Sequence, residues 1–243
     1  MNTTLVINSK GGSGKTTVAI NLASHFAASN VATTILDYDP QGSSLNWLRL
    51  RSPHATRIHG ANAAPQKGSR LRSFEMYVPP ETRQLIIDAP AGASGAVLQE
   101  MLDRAQCIII PVAPSAIDIH ATSEFIQDVL LTRRVREGST RLAVVGNKVR
   151  RSMPVYPPLE RFLNSLNLKL LARLIDSDVY LKVAEMGVGI FEMEFSLSIA
   201  ECKQFMPIVD WVSGQHARDA RTDGAIYELA RNASLKGFTR SPV

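Results

Sequence analysis

Residues 8–17 carry the stretch that decides the fold, Asn8-Ser9-Lys10-Gly11-Gly12-Ser13-Gly14-Lys15-Thr16-Thr17. The apolar run Leu5-Val6-Ile7 precedes it, and the run Val18-Ala19-Ile20-Asn21-Leu22-Ala23 follows it. This order predicts a buried strand, a glycine-rich turn and the start of a helix. Glycines let the backbone curl so that successive N–H groups point at one centre, where the helix N-terminus adds positive charge. Residues 8–17, hereafter the phosphate loop, are therefore predicted to bind phosphate groups.

Two side chains of the phosphate loop have expected roles of their own. Lys15 is expected to reach the β- and γ-phosphates of a nucleotide, and the Thr16 hydroxyl to ligate Mg²⁺. A surface turn rich in glycine, lysine and serine is the alternative, but strand, loop and helix occur in the order that a phosphate site requires. The expected nucleotide contacts are Gly11, Gly12, Ser13, Gly14, Lys15, Thr16 and Thr17.

The phosphate loop departs from the common pattern G-x-x-x-x-G-K-[ST] in two ways. Ser9 stands where the first glycine would be, and a second lysine, Lys10, lies five residues before Lys15. In this form the loop resembles the deviant Walker A box of the ParA/MinD family, dimerising ATPases that position DNA, organelles or protein clusters. The resemblance implies a P-loop NTPase of the α/β class, with a doubly wound, mostly parallel twisted sheet flanked by helices.

The same resemblance gives Lys10 a role. In the family, the extra lysine reaches across a dimer interface to the nucleotide of the partner subunit. A cation delivered in this way neutralises charge on the transferring phosphoryl group only when two subunits meet. Lys10 and Lys15 are thus expected to be catalytic, and ATP hydrolysis is expected to depend on an ATP-bound homodimer.

A pair of carboxylates follows the second predicted strand, Val31–Leu36, in the segment Asp37-Tyr38-Asp39-Pro40-Gln41-Gly42. Residues 37–42 resemble the D-x-D-P-Q box of the family, hereafter the first switch. The resemblance makes Asp39 the candidate for ordering or activating the attacking water and for binding Mg²⁺. Asp37 is expected to support Mg²⁺ or the loop. A plain turn is the alternative, since Asp and Pro favour turns.

A third nucleotide signal is the apolar run that closes on Asp88, in Gln84-Leu85-Ile86-Ile87-Asp88. This is the Walker B arrangement, in which the terminal carboxylate of a strand holds Mg²⁺, usually through water. Residues 91–95, hereafter the second switch, are small and flexible and resemble the segment that reports the γ-phosphate to the dimer interface. The expected Mg²⁺ ligands are thus Thr16, Asp39 and Asp88.

The base of the nucleotide is assigned to Asn147, near the end of the strand predicted over Leu142–Val149. Family resemblance makes Asn147 the adenine contact. Its amide carries both a donor and an acceptor, which suits the edge of the adenine ring.

Length, composition and charge narrow the function classes. The chain has 243 residues, of which 45% are hydrophobic and 20% charged, which is typical of a folded globular protein. No run approaches the roughly 18 apolar residues that a membrane span needs. Cys107 and Cys202 do not have the spacing of a metal site or a disulfide framework. A cytoplasmic protein is expected from these features, and the resemblance to the ParA/MinD family implies that it is nucleoid-associated. The net charge of +5 suits a polyanionic partner.

The chain is predicted to form an ATPase domain over residues 1–212 and a basic tail over 213–243. A helix over Ser196–Val212 closes the domain, with Pro207 bending or breaking it. Residues 52–80 are predicted to be a weakly structured crossover, with a strand at Thr56–His59 and a helix at Arg70–Tyr77. A further helix is predicted over Asp118–Arg134.

The resemblance implies a cycle in which the ATP-bound homodimer binds nucleoid DNA without reading its sequence. A ParB-like or other adaptor protein then stimulates the slow hydrolysis of ATP and releases the cargo. Plasmid or chromosome segregation and carboxysome positioning are the rival cargoes, and the segment Trp47–Arg51 resembles the carboxysome group. Charge clustering alone makes these residues the candidate DNA contacts: Arg133, Arg134, Arg136, Arg150, Arg151 and Arg218.

Three other functions stay open from the sequence. A membrane-associated MinD-like spatial regulator would use the tail, although the tail has few apolar residues and interleaved acids, which disfavours a membrane helix. A metabolic P-loop enzyme would transfer phosphate to a small acceptor. A degenerate homologue would bind nucleotide without cleaving it, but the presence of Lys10, Lys15, Thr16, Asp39 and Asp88 disfavours that reading.

Overall fold

The structure, a computed structural model, describes residues 1–65, 76–150, 156–166, 168 and 170–214. Along these residues the chain forms seven strands, eight helices and one 3₁₀ turn at Ile190–Glu192. The strands are β1 (Asn2–Val6), β2 (Thr33–Asp37), β3 (His59–Asn62), β4 (Gln84–Asp88), β5 (Cys107–Val112), β6 (Arg141–Val149) and β7 (Leu170–Ile175). The helices are α1 (Lys15–Ala28), α2 (Ser43–Leu50), α3 (Gly95–Arg104), α4 (Ala116–Leu131), α5 (Arg133–Arg136), α6 (Tyr156–Ser165), α7 (Asp178–Glu185) and α8 (Phe195–Val212).

The strands form a single sheet in the order β3-β2-β4-β1-β5-β6-β7, and every neighbouring pair is parallel. Parallel neighbours need crossover connections, so helices cover both faces and both faces of the strands are apolar. One core lies under α1, α2, α7 and α8, and the other under α3, α4 and α6. The predicted doubly wound α/β fold is confirmed.

The register of the three central strands determines where a ligand can bind. Val6 of β1 pairs with Asp88 of β4, and Asp88 pairs in turn with Asp37 of β2. The carboxyl ends of these strands therefore lie side by side. Ligands of open parallel sheets bind outside the carboxyl ends of the strands, so this edge is the expected site.

The elements around the phosphate loop lie where the sequence predicts them. The helix predicted to start in the phosphate loop is α1, and the strand predicted to end at Asp88 is β4. Helix α2 follows the first switch, and its Trp47 is buried in the core. Cys107 and Cys202 are buried free thiols.

The edge strand β3 corrects one prediction, because it lies at His59–Asn62 and not at Thr56–His59. Its sequence, His-Gly-Ala-Asn, is too polar to be recognised as a strand, but Thr34 of β2 pairs with His59 and sets the register. Gly60 allows α2 to pack closely, since a Cβ there would lie 2.5 Å from the Leu48 side chain. The β3 sequence is therefore selected by packing rather than by strand propensity.

Two helix predictions also need correction. The helix predicted over Asp118–Arg134 ends at Leu131, because Thr132 has extended backbone angles and its hydroxyl donates to the Val129 carbonyl. A short helix, α5, then begins at Arg133. Pro207 does not break the last helix, which continues to Val212.

Several predictions fall outside the described residues. These are most of the helix at Arg70–Tyr77, Arg151, and the tail from residue 215 onward with Arg218. The division into a domain and a tail stays a prediction.

A buried ion pair joins α2 to the segment before α8. The Arg51 guanidinium donates to both carboxylate oxygens of Glu192, at 2.9 and 2.7 Å, and the two side chains are only 6% and 11% exposed. Arg51 also donates to the carbonyls of Gly187 and Thr56 and lies over the Trp47 ring, 5.0 Å from its centroid. These contacts fix the helix that follows the first switch.

We expect Arg51→Met to lower the free energy of unfolding by about 3 kcal/mol, because it leaves the buried Glu192 carboxylate without its cation. Urea unfolding monitored by circular dichroism measures the change. Arg133→Met removes an ion pair with Glu137 whose arginine side chain is 85% exposed, and is the control. It should cost less than about 0.5 kcal/mol. Equal losses in the two variants would contradict the assignment.

Candidate functional site

The phosphate loop joins β1 to α1 through two glycines in the left-handed region, Gly12 with φ +74° and Gly14 with φ +91°. At Gly12 a Cβ would meet nothing within 4 Å, so backbone conformation alone requires glycine. At Gly14 a Cβ would lie 1.8 Å from the Asn147 side chain, so space requires it as well. Helix α1 begins inside the phosphate loop, at Lys15, and its first N–H groups have no partner within the helix.

A buried asparagine, Asn8, holds the start of the phosphate loop. Its amide donates to the Pro111 carbonyl at 2.7 Å and to the Thr122 hydroxyl of α4 at 3.1 Å. Its side-chain oxygen accepts from the backbone N–H of Lys10 at 3.0 Å. Asn8 thus fixes the backbone of Lys10 against β5 and α4. No local sequence pattern marks the contact between Asn8 and Thr122, because the two residues lie 114 positions apart.

Lys15 crosses the mouth of the phosphate loop. Its side-chain nitrogen donates to the Lys10 carbonyl at 3.0 Å, and the residue is only 7% exposed. Burial lowers the pKa of Lys15, while the nearby charges of Asp88 and Asp39 act in the opposite direction. Of the two expected catalytic lysines, Lys15 therefore lies next to the carboxylates predicted from the other two boxes, Asp88 and Asp39.

Asp37 supports the first switch through its own carboxylate. One oxygen accepts from the Asp39 N–H at 2.9 Å. The other accepts from the N–H and hydroxyl of Ser44, at 3.1 and 2.8 Å, and from the Leu45 N–H at 3.2 Å. The carboxylate thus caps the N-terminus of α2, where its charge is favourable. Asp37 was expected to support either Mg²⁺ or the loop of the first switch, and these contacts favour the loop.

Asp39 lies at the same edge and is partly exposed. One of its carboxylate oxygens accepts from the Gln41 N–H at 2.9 Å, which closes the turn of the first switch. Its charge acts on the pKa of Lys15, so the two groups are near one another. Asp39 is therefore placed at the phosphate loop, and its role toward water and Mg²⁺ stays a prediction.

Asp88 is buried at the end of β4, and neither carboxylate oxygen accepts a hydrogen bond from the described residues. Burial raises its pKa to about 7, and the charge of Asp37 contributes. The hydroxyls of Thr16 and Ser44 and the charge of Lys15 lie close enough to act in the opposite direction. A buried carboxylate without a partner is rare in a native structure and indicates an unfilled polar role.

The residues present fit Mg²⁺ and phosphate. The unpartnered oxygens of Asp88 and the nearby Thr16 hydroxyl are hard oxygen donors, which Mg²⁺ prefers. Within the described residues no cluster of three His, Cys, Asp or Glu could hold a metal.

Asn147, near the end of β6, contacts the phosphate loop. It is buried, and its amide donates to the Ser13 carbonyl at 2.9 Å. The next residue, Lys148, has a φ of +55°, and the pairing of β6 with β7 shifts between Gly146 and Val149. This bulge turns Asn147 toward the loop. Asn147 therefore supports the loop, and its contact with adenine stays a prediction.

The candidate DNA contacts do not lie together. Arg133, Arg134 and Arg136 are on α5, at the edge of the sheet where β6 begins, whereas Arg150 follows the other end of β6. The nine residues of β6 separate the two edges by about 25–30 Å. Arg150 is thus on the edge that carries the phosphate loop, and the α5 cluster is on the opposite one.

Two of the α5 arginines already have partners. Arg133 pairs with Glu137, and Arg134 donates to the Asp103 carbonyl at 2.6 Å. Arg150 pairs with Asp176 at 3.1 Å. These pairs are exposed, so an incoming phosphate could compete for the arginines.

The comparison with protein-family models matches residues 4–184 to the CobQ/CobB/MinD/ParA nucleotide binding domain. The match contains the phosphate loop, the first switch, Asp88 and Asn147. The chain belongs to this family. The predicted resemblance to the ParA/MinD family is confirmed, and family members bind nucleotides.

Curated relatives in the CobQ/CobB/MinD/ParA family include two named maintenance of carboxysome distribution protein A. The one from Halothiobacillus neapolitanus is 23% identical over 79% of this chain and 87% of its own length. The one from Gloeobacter kilaueensis is 30% identical over 52% of this chain, and the match spans 56% of its length. The chromosome-partitioning ATPase Soj of Thermus thermophilus is 30% identical over 45% of each chain.

Solved structures share the fold. The apo McdA of Cyanothece has a TM-score of 0.64 and 16% identity, with 88% of this chain and all of that chain covered. The MinC:MinD cell division protein complex of Aquifex aeolicus has a TM-score of 0.65 and 14% identity, covering 91% of this chain and 99% of the other. At these identities the likeness is one of fold.

We expect Asp88→Asn to stabilise the protein in the absence of nucleotide and metal. The folded pKa of about 7 exceeds the ordinary value of 3.8, so the stability tied to the neutral carboxyl is full below pH 4 and is lost as pH rises through 7. The variant should gain on the order of 2–4 kcal/mol at pH 8 and little at pH 4.

Thermal and urea unfolding at both pH values measure this gain. Asp103→Asn, at an exposed position of α3, is the control and should change stability by less than about 0.5 kcal/mol. Destabilisation by Asp88→Asn at pH 8 would show that the carboxylate has partners that the account lacks.

We expect Asn147→Ala to weaken binding of both ATP and inorganic tripolyphosphate about fivefold, because the loop loses the hydrogen bond that holds Ser13. Calorimetric titration measures both affinities. An asparagine that contacts only the base would leave tripolyphosphate binding unchanged, which is the contradicting outcome. Asn164→Ala, on the exposed side of α6, is the matched control.

Proposed function

We propose that the chain is an ATPase that dimerises with ATP and positions or partitions a cargo on DNA. One observation carries the proposal: the aligned ends of β1, β2 and β4 bring Lys15, Asp39 and the buried Asp88 to one phosphate loop. The names of the relatives, which refer to carboxysome distribution and chromosome partitioning, support the positioning role.

Each residue of the site would have its own role in ATP hydrolysis. The backbone N–H groups of residues 11–17 would bind the phosphates, and Lys15 would reach the β- and γ-phosphates in place of the Lys10 carbonyl that it now contacts. Thr16 and Asp88 would hold Mg²⁺, directly or through water, and Mg²⁺ would supply charge that stabilises the transferring phosphoryl group. Asp39 would orient the attacking water.

Lys10 would complete the site of the partner subunit. Asn8 accepts from its N–H and the Ser13 hydroxyl donates to its carbonyl at 3.3 Å, so its backbone stays held when Lys15 moves to the phosphates. A fixed backbone lowers the entropy that is lost when a long side chain is ordered across an interface. Hydrolysis would then be slow in the monomer and would depend on the dimer.

DNA would be bound through phosphates, without sequence readout, by the ATP-bound dimer. The net charge of +5 supports a polyanionic partner. Arg150 lies on the nucleotide edge, so its environment would depend on ATP, whereas the α5 cluster is remote from that edge. The remaining candidates are Arg151 and Arg218, which lie outside the described residues.

The cargo would be a carboxysome-like body or a DNA molecule, recognised through a ParB-like or other adaptor protein that stimulates hydrolysis. The protein would then be nucleoid-associated. Within the described residues, no helix has the length and apolar composition that a membrane span needs.

Light scattering with ATP, ADP and no nucleotide, together with phosphate release, tests the proposal. Wild type should dimerise only with ATP. Lys15→Ala should lose nucleotide binding, Asp39→Ala should accumulate the ATP dimer, and Lys10→Ala should bind ATP but dimerise and hydrolyse at least about tenfold less well.

The matched control is Lys182→Ala, an exposed lysine of α7, which should behave as wild type. A Lys10→Ala variant that dimerises and hydrolyses normally would refute the role of Lys10 in the partner's site. Normal turnover by Lys15→Ala would refute the site as a whole.

A further inference from the structure

Tyr38 lies between the two aspartates of the first switch and points to the other face of the sheet. Side chains alternate along an extended segment, and Asp37 faces α2. Tyr38 instead packs, fully buried, in the core under α3 and α4. Its hydroxyl donates to a carboxylate oxygen of Glu100, on α3, at 2.9 Å.

The backbone of Tyr38 is tied to the Walker B strand. Its N–H donates to the Asp88 carbonyl at 3.0 Å. Tyr38 is therefore bonded to β4 through its backbone and to α3 through its side chain, while its neighbour Asp39 lies at the phosphate loop. A displacement of the first switch that includes Tyr38 would stretch these bonds or carry α3 with it.

Helix α3 begins inside the second switch, at Gly95, and its N-terminus has no side-chain cap. Gly92 and Gly95 have φ values of +66° and +57°, and Ser94, at the N-cap, makes no capping bond through its side chain. Met101 and the Tyr38 contact lie further along the helix. The Tyr38 contact therefore lies along the middle of α3 and not at the end that follows the second switch.

The far end of α3 is connected to the basic helix α5. The Asp103 carbonyl accepts from Arg134 at 2.6 Å, and the Ala105 carbonyl accepts from the Thr140 hydroxyl at 2.7 Å. Helix α3 thus runs from the second switch, past Tyr38, to the arginine cluster on the opposite edge of the sheet. It is a continuous physical connection between the two edges.

We propose that Tyr38 is a positioning residue for Asp39, and that its hydrogen bond to Glu100 couples the first switch to α3. The proposal rests on the proposed ATPase function and deepens it. A change at the phosphates moves Asp39, Tyr38 and α3 together. By reciprocity, a partner that moves α3 changes the position of Asp39 and hence the rate of hydrolysis.

Tyr38→Phe tests the coupling, because it keeps the buried ring and removes only the hydroxyl. The kcat of ATP hydrolysis should fall about three- to tenfold while KM changes less than about twofold, since an orienting bond acts on the reaction and not on ATP binding. Amide hydrogen exchange in α3 should respond to ATP in wild type and no longer in the variant.

A double-mutant cycle with Glu100→Met separates the hydrogen bond from general effects. Glu100 also pairs with Arg104 at 3.3 Å, so the single variant removes more than the Tyr38 bond. If the Tyr38–Glu100 bond carries the coupling, the double variant loses no more kcat than Glu100→Met alone. Multiplying effects would overturn the proposal. Glu100 is partly exposed, so Glu100→Met is expected to fold. It therefore tests the Tyr38–Glu100 bond even if Tyr38→Phe does not fold.

Tyr180→Phe is the matched control. Tyr180 is also a buried tyrosine, but its hydroxyl has no hydrogen-bond partner among the described residues, so kcat and exchange should match wild type. An unchanged kcat in Tyr38→Phe, or an unchanged response of α3 to ATP, would overturn the coupling alone. Absence of ATP hydrolysis in wild type would instead overturn the proposed function.

Discussion

The parallel register that aligns Val6, Asp37 and Asp88 is the constraint on which the site depends. It places the end of the strand before the phosphate loop beside two carboxylates on neighbouring strands. The cost of this alignment falls on Asp88, whose buried carboxylate has no hydrogen-bond partner among the described residues and whose pKa is raised to about 7. A cation and a polyphosphate bound at this edge would remove that cost, so the fold itself favours a charged ligand.

Long-range polar contacts hold the site in shape before a ligand binds. Asn8 fixes the backbone of Lys10 against α4, Asn147 holds the Ser13 carbonyl, and Asp37 caps α2. Each of these bonds uses a buried donor or acceptor that would otherwise be costly. The phosphate loop is thereby preorganised, while Lys15 keeps only a contact that phosphate can replace. A nucleotide-dependent switch requires both a rigidly held phosphate loop and a contact, here that of Lys15 with the Lys10 carbonyl, that the nucleotide can replace.

The sequence predicts the parts of this site that are local. The phosphate loop, the first switch and the strand ending at Asp88 each combine an apolar run with glycine or aspartate, and their elements lie where predicted. The contacts of Asn8 with Thr122 and of Tyr38 with Glu100 join residues 114 and 62 positions apart, so no local pattern marks them. Strand β3 could not be predicted either, because its packing and not its strand propensity determines its sequence. The arginine candidates were grouped by their closeness in sequence, which does not show that they lie at opposite edges of the sheet.

Binding of nonspecific duplex DNA with ATP, ADP and no nucleotide, over a salt series, tests the central claim most directly. Anionic liposomes serve as the parallel probe. The account predicts DNA binding only with ATP, with an affinity that falls steeply as salt rises because bound counterions are released. DNA binding that ignores the nucleotide would contradict a switch. ATP-dependent binding to liposomes without binding to DNA would contradict the DNA-based account and assign the protein to a membrane surface.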